Sequence, residues 1–370
     1  MSVELSEWAG LLRREYLDGF IEGGGAAVKI AVAPAASTWG VAQAVESQAR
    51  AGGYAVARVE AARTRVHMVD QIFHAVARQI DWDGVARRRL SLLLWGNGIQ
   101  ADPAQLHDLE AVAQANGRHR RDLLNEVNRL IENAVLRNYG LSREFRTAMA
   151  MLCWGIVNPQ NVSPTDSEVI VRWLRGEKTP LAALKKVQIY GRVGRHNARL
   201  MLASLSRWLR QSGAPGLVLI LDLNAVVAPS TLSTPSTPAS TSTSSTPSIS
   251  GEAQGVGEPS LRYTRGALLD AYEVLRGFID DTDQAAHFLM VVVAGPGLLD
   301  DPKRSVDNYT ALKMRIVDEV HDRTRDNPLN AMVRLGASGD HNRDHGAAGD
   351  HGAAGDHGAA AGALQAGAST

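Results

Sequence analysis

The sequence contains a single cysteine, Cys153, among 370 residues. One cysteine excludes a disulfide within the chain and is typical of a reducing compartment. Long apolar runs are also missing. The longest, 216–221 and 288–294, fall well short of the roughly 20 residues that cross a bilayer as a helix. The first residues, MSVELSEWAGLLRREYLDG, hold no apolar segment of signal-peptide length. We therefore expect a soluble cytoplasmic protein.

The chain has no excess of charge of either sign. Lys+Arg and Asp+Glu both number 39, so the formal net charge is zero. This balance excludes a uniformly basic nucleic-acid binder but leaves local patches open. Basic segments at 87–89, 118–121 and 185–195 are candidates for DNA contact. Acidic residues interleave elsewhere, so a solvated helical face is the default interpretation of these segments.

The hydrophobic residues, 45% of the chain, are sufficient for a sizeable core and follow clear periods. Residues 4–22 have the three- and four-residue spacing of an amphipathic helix that ends at the glycines 23–25. An apolar strand at 27–33, a loop at 34–38 and a crossover helix then lead to a second strand at 54–59. This pattern predicts a βαβ unit, with the two strands as parallel neighbours.

From 66 to 210 the pattern is almost wholly helical, which is too long for a single crossover and indicates a helical insertion. Strands follow at 216–223, 288–295 and 331–335, with helices at 262–279 and 306–320. We predict an α/β fold with a mostly parallel sheet of about five strands. The predicted parts are an N-terminal helix (1–25), a core in two halves (26–100 and 213–335), a helical insertion (101–212), a disordered Ser/Thr/Pro insertion (229–258) and a disordered tail (336–370).

Two low-complexity segments contain few apolar side chains that could be buried, so they are predicted to be disordered. The Ser/Thr/Pro segment is interpreted as a tolerated loop expansion, with phosphorylation as the alternative. The tail repeats GDHGAA. Its Asp-His pairs offer weak transition-metal ligands, but a flexible tail has no fixed geometry, so a solvated tail is the default interpretation.

The segment 27–45 has the layout of a phosphate-binding loop without the residues of its motif. Aligning G-x-x-x-x-G-K-S/T places Ala33 and Thr38 at the two glycines, Trp39 at the lysine and Gly40 at the hydroxyl residue. The cradle needs backbone N–H groups aimed at the phosphates and a lysine that neutralises them. Ala33 and Thr38 resist a positive φ, and Pro34 removes one donor. Trp39 has no positive charge, and its ring is large enough to block the site. Gly40 has no side-chain oxygen to bind Mg²⁺.

An ordered set of segments resembles one family. The segments are EYLDGFIEGGGAAVKI (15–30), WLRGE (173–177), NARLMLASLSRWLR (197–210), GLVLILD (216–222), ALLDAYEVLRGFIDDTD (267–283), VVVAG and LLDDP (291–302), YTALKMRIVDE (309–319) and NP (327–328). Over about residues 10–335 the chain resembles the ATP-binding proteins of bacterial bacteriophage-exclusion (BREX) systems, the BrxD-like P-loop group. The resemblance implies an AAA-like core that binds ATP and Mg²⁺, with a helical insertion between the second and third strands. It also implies a role in phage defence beside large partner proteins.

The resemblance also assigns positions after the core strands. Asp222 matches the Walker B aspartate, a Mg²⁺ ligand, and ends a strand where ligands bind in open α/β sheets. Leu223 stands in place of the Walker B glutamate. The AGPG segment at 294–297 replaces a polar sensor, a part that Pro296 cannot play. Arg315 matches a family arginine and is interpreted either as a trans-acting arginine or as a helix-surface residue.

Two further basic features carry weaker signals. Lys29 lies on the first strand and is predicted to be a surface or edge lysine. The GRVGR segment at 191–195 resembles a small glycine loop able to touch a phosphate, but a plain helix start at 196–197 is the simpler interpretation.

These departures favour a degenerate P-loop ATPase that acts as a scaffold or regulatory subunit with weak or lost nucleotide binding and hydrolysis. The alternatives are a divergent active ATPase completed by a partner and a DNA-binding adaptor. Other proteins of the phage-defence system are the expected partners, and an oligomer is compatible with the family. No membrane association is expected.

Overall fold

The computed structural model describes residues 2–228, 261–316 and 327–336. The predicted Ser/Thr/Pro insertion, all but the first residue of the predicted tail and the end of the predicted helix at 306–320 lie outside the described residues.

A parallel sheet forms the centre of the described chain. Its five strands have the order β2-β3-β4-β1-β5, and every neighbouring pair is parallel. The predicted α/β class with about five parallel strands is therefore confirmed, and it is consistent with a P-loop NTPase-like fold. The strands are β1 (Ala26–Val32), β2 (Ala55–Glu60), β3 (Leu217–Asp222), β4 (Phe288–Ala294) and β5 (Met332–Arg334).

The predicted pairing of the first two strands is wrong. β3 and β4 lie between β1 and β2, which forms one edge of the sheet. The reason is the apolar content of the inserted strands. β4 is buried along its whole length and β3 along all but its last residue, so both need partners on two sides. β2 alternates in burial and carries Arg58 and Glu60, a composition that suits an edge strand.

Helices cover the sheet and build the region between β2 and β3. Within the described residues they are α1 (Leu5–Leu11), α2 (Thr38–Ala51), α3 (Val69–Ala77), α4 (Trp82–Trp95), α5 (Leu109–Ala115), α6 (Arg120–Ile131), α7 (Arg143–Val157), α8 (Pro164–Leu174), α9 (Leu181–Lys186), α10 (Ala198–Gln211), α11 (Asn224–Val227), α12 (Arg265–Asp280), α13 (Gly297–Asp300) and α14 (Thr310–Ile316). The helical character predicted for 66–210 is present in α3 to α10.

The first helix continues into an unusual segment. α1 passes directly into a π-helix over Leu12–Ile21, and both ends of that segment are buried. The wider turn brings Leu12 and Leu17, five residues apart, to the same buried side. Gly24 ends the segment with φ of +107°, a conformation that glycine adopts without steric cost.

The two faces of the sheet are covered unequally. One face packs against α1, the π-helix and α2, while the other packs against α3, α10, α12, α14 and the helical region. The neighbouring strands β1 and β4 are therefore followed by helices on opposite faces. In open parallel sheets such a switch point creates a crevice at the carboxyl ends of the strands, where ligands bind.

Lys29 is not a surface or edge residue, contrary to the sequence prediction. Its side chain is 5% exposed, and β1 lies inside the sheet. The ammonium donates to the carbonyl oxygens of Leu329 at 2.5 Å and Asn330 at 2.9 Å, and it lies 4.3 Å from the ring centroid of Tyr16. Lys29 therefore ties β1 and the N-terminal helix to the segment before β5.

Among the residues described, no helix is both long and apolar enough to cross a membrane.

Replacing Lys29 tests this buried contact. Lys29→Met leaves two carbonyl oxygens without their charged donor, and hydrogen bonds to charged groups contribute about 1.5–3 kcal/mol. We expect the free energy of unfolding, measured with urea, to fall by about that amount. Lys185→Met removes an exposed lysine and is expected to leave it unchanged. Equal effects of the two substitutions would contradict the buried role.

The thiol of Cys153 gives a second test of the packing. Burial raises the pKa of Cys153 to about 12, so the reactive thiolate is scarce at neutral pH. We expect Ellman's reagent to leave the native protein unmodified over an hour at pH 8 and to titrate one thiol per chain in guanidinium chloride. Rapid modification of the native protein would show that α7 is not packed as described.

Candidate functional site

The loop between β1 and α2 has the course of a phosphate-binding loop. The Ser37 N–H donates to the Pro34 carbonyl oxygen at 2.7 Å, which closes a tight turn. The Thr38 hydroxyl donates to the Ala35 carbonyl oxygen at 2.9 Å, and α2 begins at Thr38. The predicted succession of strand, short loop and helix is therefore present at the carboxyl end of β1.

The side chains at the four motif positions offer little to an anion. Ala33 and Thr38 are buried, and the Thr38 hydroxyl donates within the loop. Trp39 is 63% exposed, so its indole lies mostly in solvent and is not packed over the loop. A Cβ added at Gly40 would meet open space. No residue from 33 to 40 has a positive φ, and none is cationic.

Asp222 lies at the carboxyl end of β3, in the same edge of the sheet as this loop. The register pairs Asp222 with Val293 of β4, and it pairs Val32 of β1 with Ala294. The three strand ends are thus level, with β4 between the other two. The Asp222 carboxylate is 16% exposed, and its Oδ1 accepts a hydrogen bond from the Asn224 N–H at 2.9 Å.

Leu223 points away from this edge. It is fully buried in the core on the helical-insertion face of the sheet, and its N–H donates to the Val293 carbonyl oxygen at 2.9 Å. An apolar side chain in this position has no polar atom with which to orient a water molecule.

Two charged residues of β2 belong to the site and were not predicted. Arg58 Nη2 lies 3.8 Å from Asp222 Oδ2, and Arg58 Nε lies 3.3 Å from Glu60 Oε1. The Nε contact has ion-pair distance but not hydrogen-bond geometry. The alternation of β2 places 58 and 60 on one side of the strand. Their approach to Asp222 depends on the pairing of β2 with β3, which the sequence did not predict.

Burial dominates the electrostatics of Asp222. It raises the pKa of that carboxyl group, against the opposing effects of the Asn224 N–H and of Arg58. Glu60 adds a smaller effect in the same direction as burial. The nearby guanidinium thus compensates the carboxylate only in part.

The residues that follow β4, Gly295 and Pro296, bring no polar side chain to the end of this strand. Pro296 follows Gly295 and opens the short helix α13. A Cβ at Gly295 would lie 3.3 Å from Asn224 Oδ1, so the Asn224 amide occupies the space beside this strand end. The sequence signal for Asn224 was its place two residues after Asp222.

Arg315, on α14, is engaged within its own chain. Its guanidinium forms a two-pronged ion pair with Asp280 of α12, one contact being Nη2 to Oδ2 at 3.1 Å, and Nη1 donates to the Ala311 carbonyl oxygen at 2.6 Å. Asp280 also pairs with Arg276. The assignment of Arg315 as a trans-acting arginine stays a prediction.

Each of the three basic segments contains a side chain that pairs with an acidic residue. Arg87 pairs with Asp83 at 2.6 Å, Arg118 pairs with Glu126, and Lys186 Nζ lies 2.8 Å from Asp166. After the GRVGR segment, α10 begins at 198 with Asn197 as its N-cap residue, which confirms the predicted helix start.

The residues at this edge do not fit a magnesium nucleotide held as in a phosphate-binding loop. Mg²⁺ in such sites is bound by a motif hydroxyl, a carboxylate and phosphate oxygens. Gly40 supplies no hydroxyl, and Asp222 is faced by Arg58. Within the described ranges, no group of three or more His, Cys, Asp or Glu side chains is arranged to hold a metal.

Comparison with known proteins identifies one family. The sequence model described as "BREX system ATP-binding protein BrxC/D" matches residues 41–228, just over half of the chain. The match begins within α2 and continues through the helical region to the end of α11. No curated protein and no solved structure matches the chain.

The raised pKa of Asp222 predicts a pH-dependent effect of Asp222→Asn. A carboxyl group whose pKa is raised by folding stabilises the protein at low pH, and this stabilisation is lost as pH rises through the folded value. We therefore expect Asp222→Asn to gain stability relative to wild type between pH 4 and pH 7.5, as measured by urea unfolding. Its amide oxygen can still accept from the Asn224 N–H.

The exposed Asp283→Asn variant controls for loss of a surface charge. The burial of this carboxylate would be contradicted if the free energy of unfolding of Asp222→Asn minus that of wild type stayed constant or decreased as the pH rises.

Proposed function

The chain belongs to the BREX system ATP-binding protein family BrxC/D, and we propose that it serves its phage-defence system as a scaffold or regulatory subunit with weak or lost nucleotide binding and hydrolysis. Its partners are the other proteins of that system. One observation carries the proposal: a five-stranded parallel sheet is retained, while all four motif positions of its phosphate-binding loop are replaced.

The free energies of the missing hydrogen bonds support weak nucleotide binding. Each lost charge-assisted hydrogen bond costs about 1.5–3 kcal/mol. The loop lacks the lysine, the hydroxyl and the glycines that permit the cradle. Two or three such losses correspond to a decrease in affinity of roughly a thousandfold or more.

The environment of Asp222 and Leu223 supports loss of hydrolysis. The carboxylate accepts from the Asn224 N–H and faces Arg58, so one of its oxygens is already used and a guanidinium competes with a metal ion for the other. Leu223 is buried and apolar, in the position from which a glutamate would activate water. Positioning and charge stabilisation supply nearly all catalysis of phosphoryl transfer, and both are missing here.

Arg315 supports the same proposal. Its bidentate ion pair with Asp280 gives it a role in packing α14 against α12. We propose that Arg315 is a structural helix-surface residue rather than an arginine that completes the site of a neighbouring subunit.

Thermal unfolding with nucleotide tests the proposed function. A ligand that binds only the folded state raises Tm, so a protein with a working site shifts at millimolar Mg-ATP. We expect no Tm shift and no phosphate release above background. ATP turnover that disappears in Asp222→Ala and persists in the exposed-site control Asp283→Ala would contradict the proposal.

Repeating the measurement with the other proteins of the defence system extends the test. Turnover that requires both a partner and Asp222 would instead identify a divergent ATPase completed by that partner.

A further inference from the structure

A cavity of about 560 Å³ lies beside α3, in the helical region. Its walls come from α3, from the loop after α8 and from the GRVGR loop before α10. None of the residues aligned with a Walker motif lines it. Its volume is within the range of about 300–1,000 Å³ that is typical of small-molecule sites.

His74 forms a buried polar group of this cavity. The side chain is 7% exposed, and its Nδ1 lies 2.9 Å from the Leu174 carbonyl oxygen. A carbonyl oxygen only accepts, so Nδ1 carries the proton. Burial lowers the pKa of His74, which keeps the ring neutral at pH 7. Nε2 is therefore a hydrogen-bond acceptor, and it has no protein donor among the described residues.

The loop after α8 is shaped around this imidazole. Gly176 has φ of +76°, and a Cβ at that position would lie 2.5 Å from His74 Cγ. Trp173 forms another part of the wall, and its indole N–H donates to the Gly191 carbonyl oxygen at 3.0 Å, which ties the GRVGR loop to α8. The cavity is thus held by specific contacts between separate segments.

Two cations lie at the mouth of the cavity. Lys178 and Arg192 are both exposed, and within the described part of the chain neither side chain forms an ion pair or hydrogen bond. The nearby Glu177 is compensated by Arg172 at 3.2 Å. The Asp70 carboxylate accepts from Gln71 Nε2 at 3.0 Å through Oδ2, while its Oδ1 has no partner.

We propose that this cavity binds a small phosphate ester that carries hydroxyl groups, of the sugar-phosphate class. Lys178 and Arg192 supply the charge-assisted donors that a phosphate takes. His74 Nε2 supplies an acceptor for a hydroxyl donor of the ligand. The site is separate from the loop at 33–40 and does not depend on the proposed loss of ATP hydrolysis.

Titration calorimetry with ribose 5-phosphate, ribose and inorganic phosphate tests the site on the full chain. We expect ribose 5-phosphate to bind more tightly than either of the other two probes. Lys178→Ala/Arg192→Ala is expected to weaken it at least tenfold. Arg14→Ala/Lys303→Ala removes one arginine and one lysine that do not line the cavity and is expected to have no effect.

A third variant distinguishes the contacts to the sugar from the contacts to the phosphate. His74→Asn keeps a donor for the Leu174 carbonyl oxygen and removes the Nε2 acceptor. We expect it to weaken ribose 5-phosphate by about tenfold, corresponding to one hydrogen bond, and to leave inorganic phosphate unchanged.

No heat with ribose 5-phosphate at millimolar concentration would overturn the proposal, as would equal affinity for ribose 5-phosphate and inorganic phosphate. Binding that survives Lys178→Ala/Arg192→Ala would also overturn it. These surface substitutions decide the question even if His74→Asn proves to be unfolded.

Discussion

The burial of β3 and β4 is the constraint on which the rest of the structure depends. Both strands are apolar and covered on both faces, so neither can lie at an edge. Their central position moves β2 to the edge and places β4 between β1 and β3. This order makes the ends of the three central strands level and creates the switch point between β1 and β4. A site for a ligand at the carboxyl edge is therefore a consequence of packing and exists whatever residues occupy it.

The strand arrangement at that edge suits a phosphate-binding loop, but the side chains there are not those of such a loop. A phosphate-binding edge concentrates N–H groups and cations in the loop after β1, whereas residues 33–40 carry no charge here. The charges lie to either side of that loop, in Arg58, Glu60 and Asp222 and, at the end of β5, in Arg334, whose Nη2 lies 3.7 Å from Asp300 Oδ1. Arg58 compensates the buried Asp222 carboxylate only in part, and the pKa of Asp222 is raised because desolvation exceeds the attraction. Membership of the family accounts for the fold. The proposed scaffold function follows from the side chains that this chain has at the carboxyl edge of the sheet.

Strand and helix positions were predictable because they depend on local sequence. Apolar runs such as 217–221 and 288–294 identify buried strands, and the glycines after the first helix identify its end. Strand order was not predictable in the same way, because pairing joins segments that lie far apart in the chain. The mistaken pairing of β1 with β2 came from treating neighbours in sequence as neighbours in the sheet.

The site was predictable only where an alignment assigned residues to it. Motif spacing placed Ala33, Thr38, Trp39 and Gly40 in the loop after β1, and the family resemblance placed Asp222 at the end of β3. Arg58 and Asn224 were missed because no motif contains them. Lys29 was misassigned because its carbonyl partners, at 329 and 330, are about 300 residues away. The cavity around His74 depends on three separated segments and has no signal in any one of them.

Isothermal titration calorimetry with Mg-ATP measures the central claim most directly, because it reports binding without requiring turnover. The account predicts no measurable heat of binding at millimolar nucleotide with the isolated full chain. A micromolar Kd that is lost in Asp222→Ala would contradict it, since such a site would hold a magnesium nucleotide at an edge that lacks the lysine, the hydroxyl and the glycines of the loop.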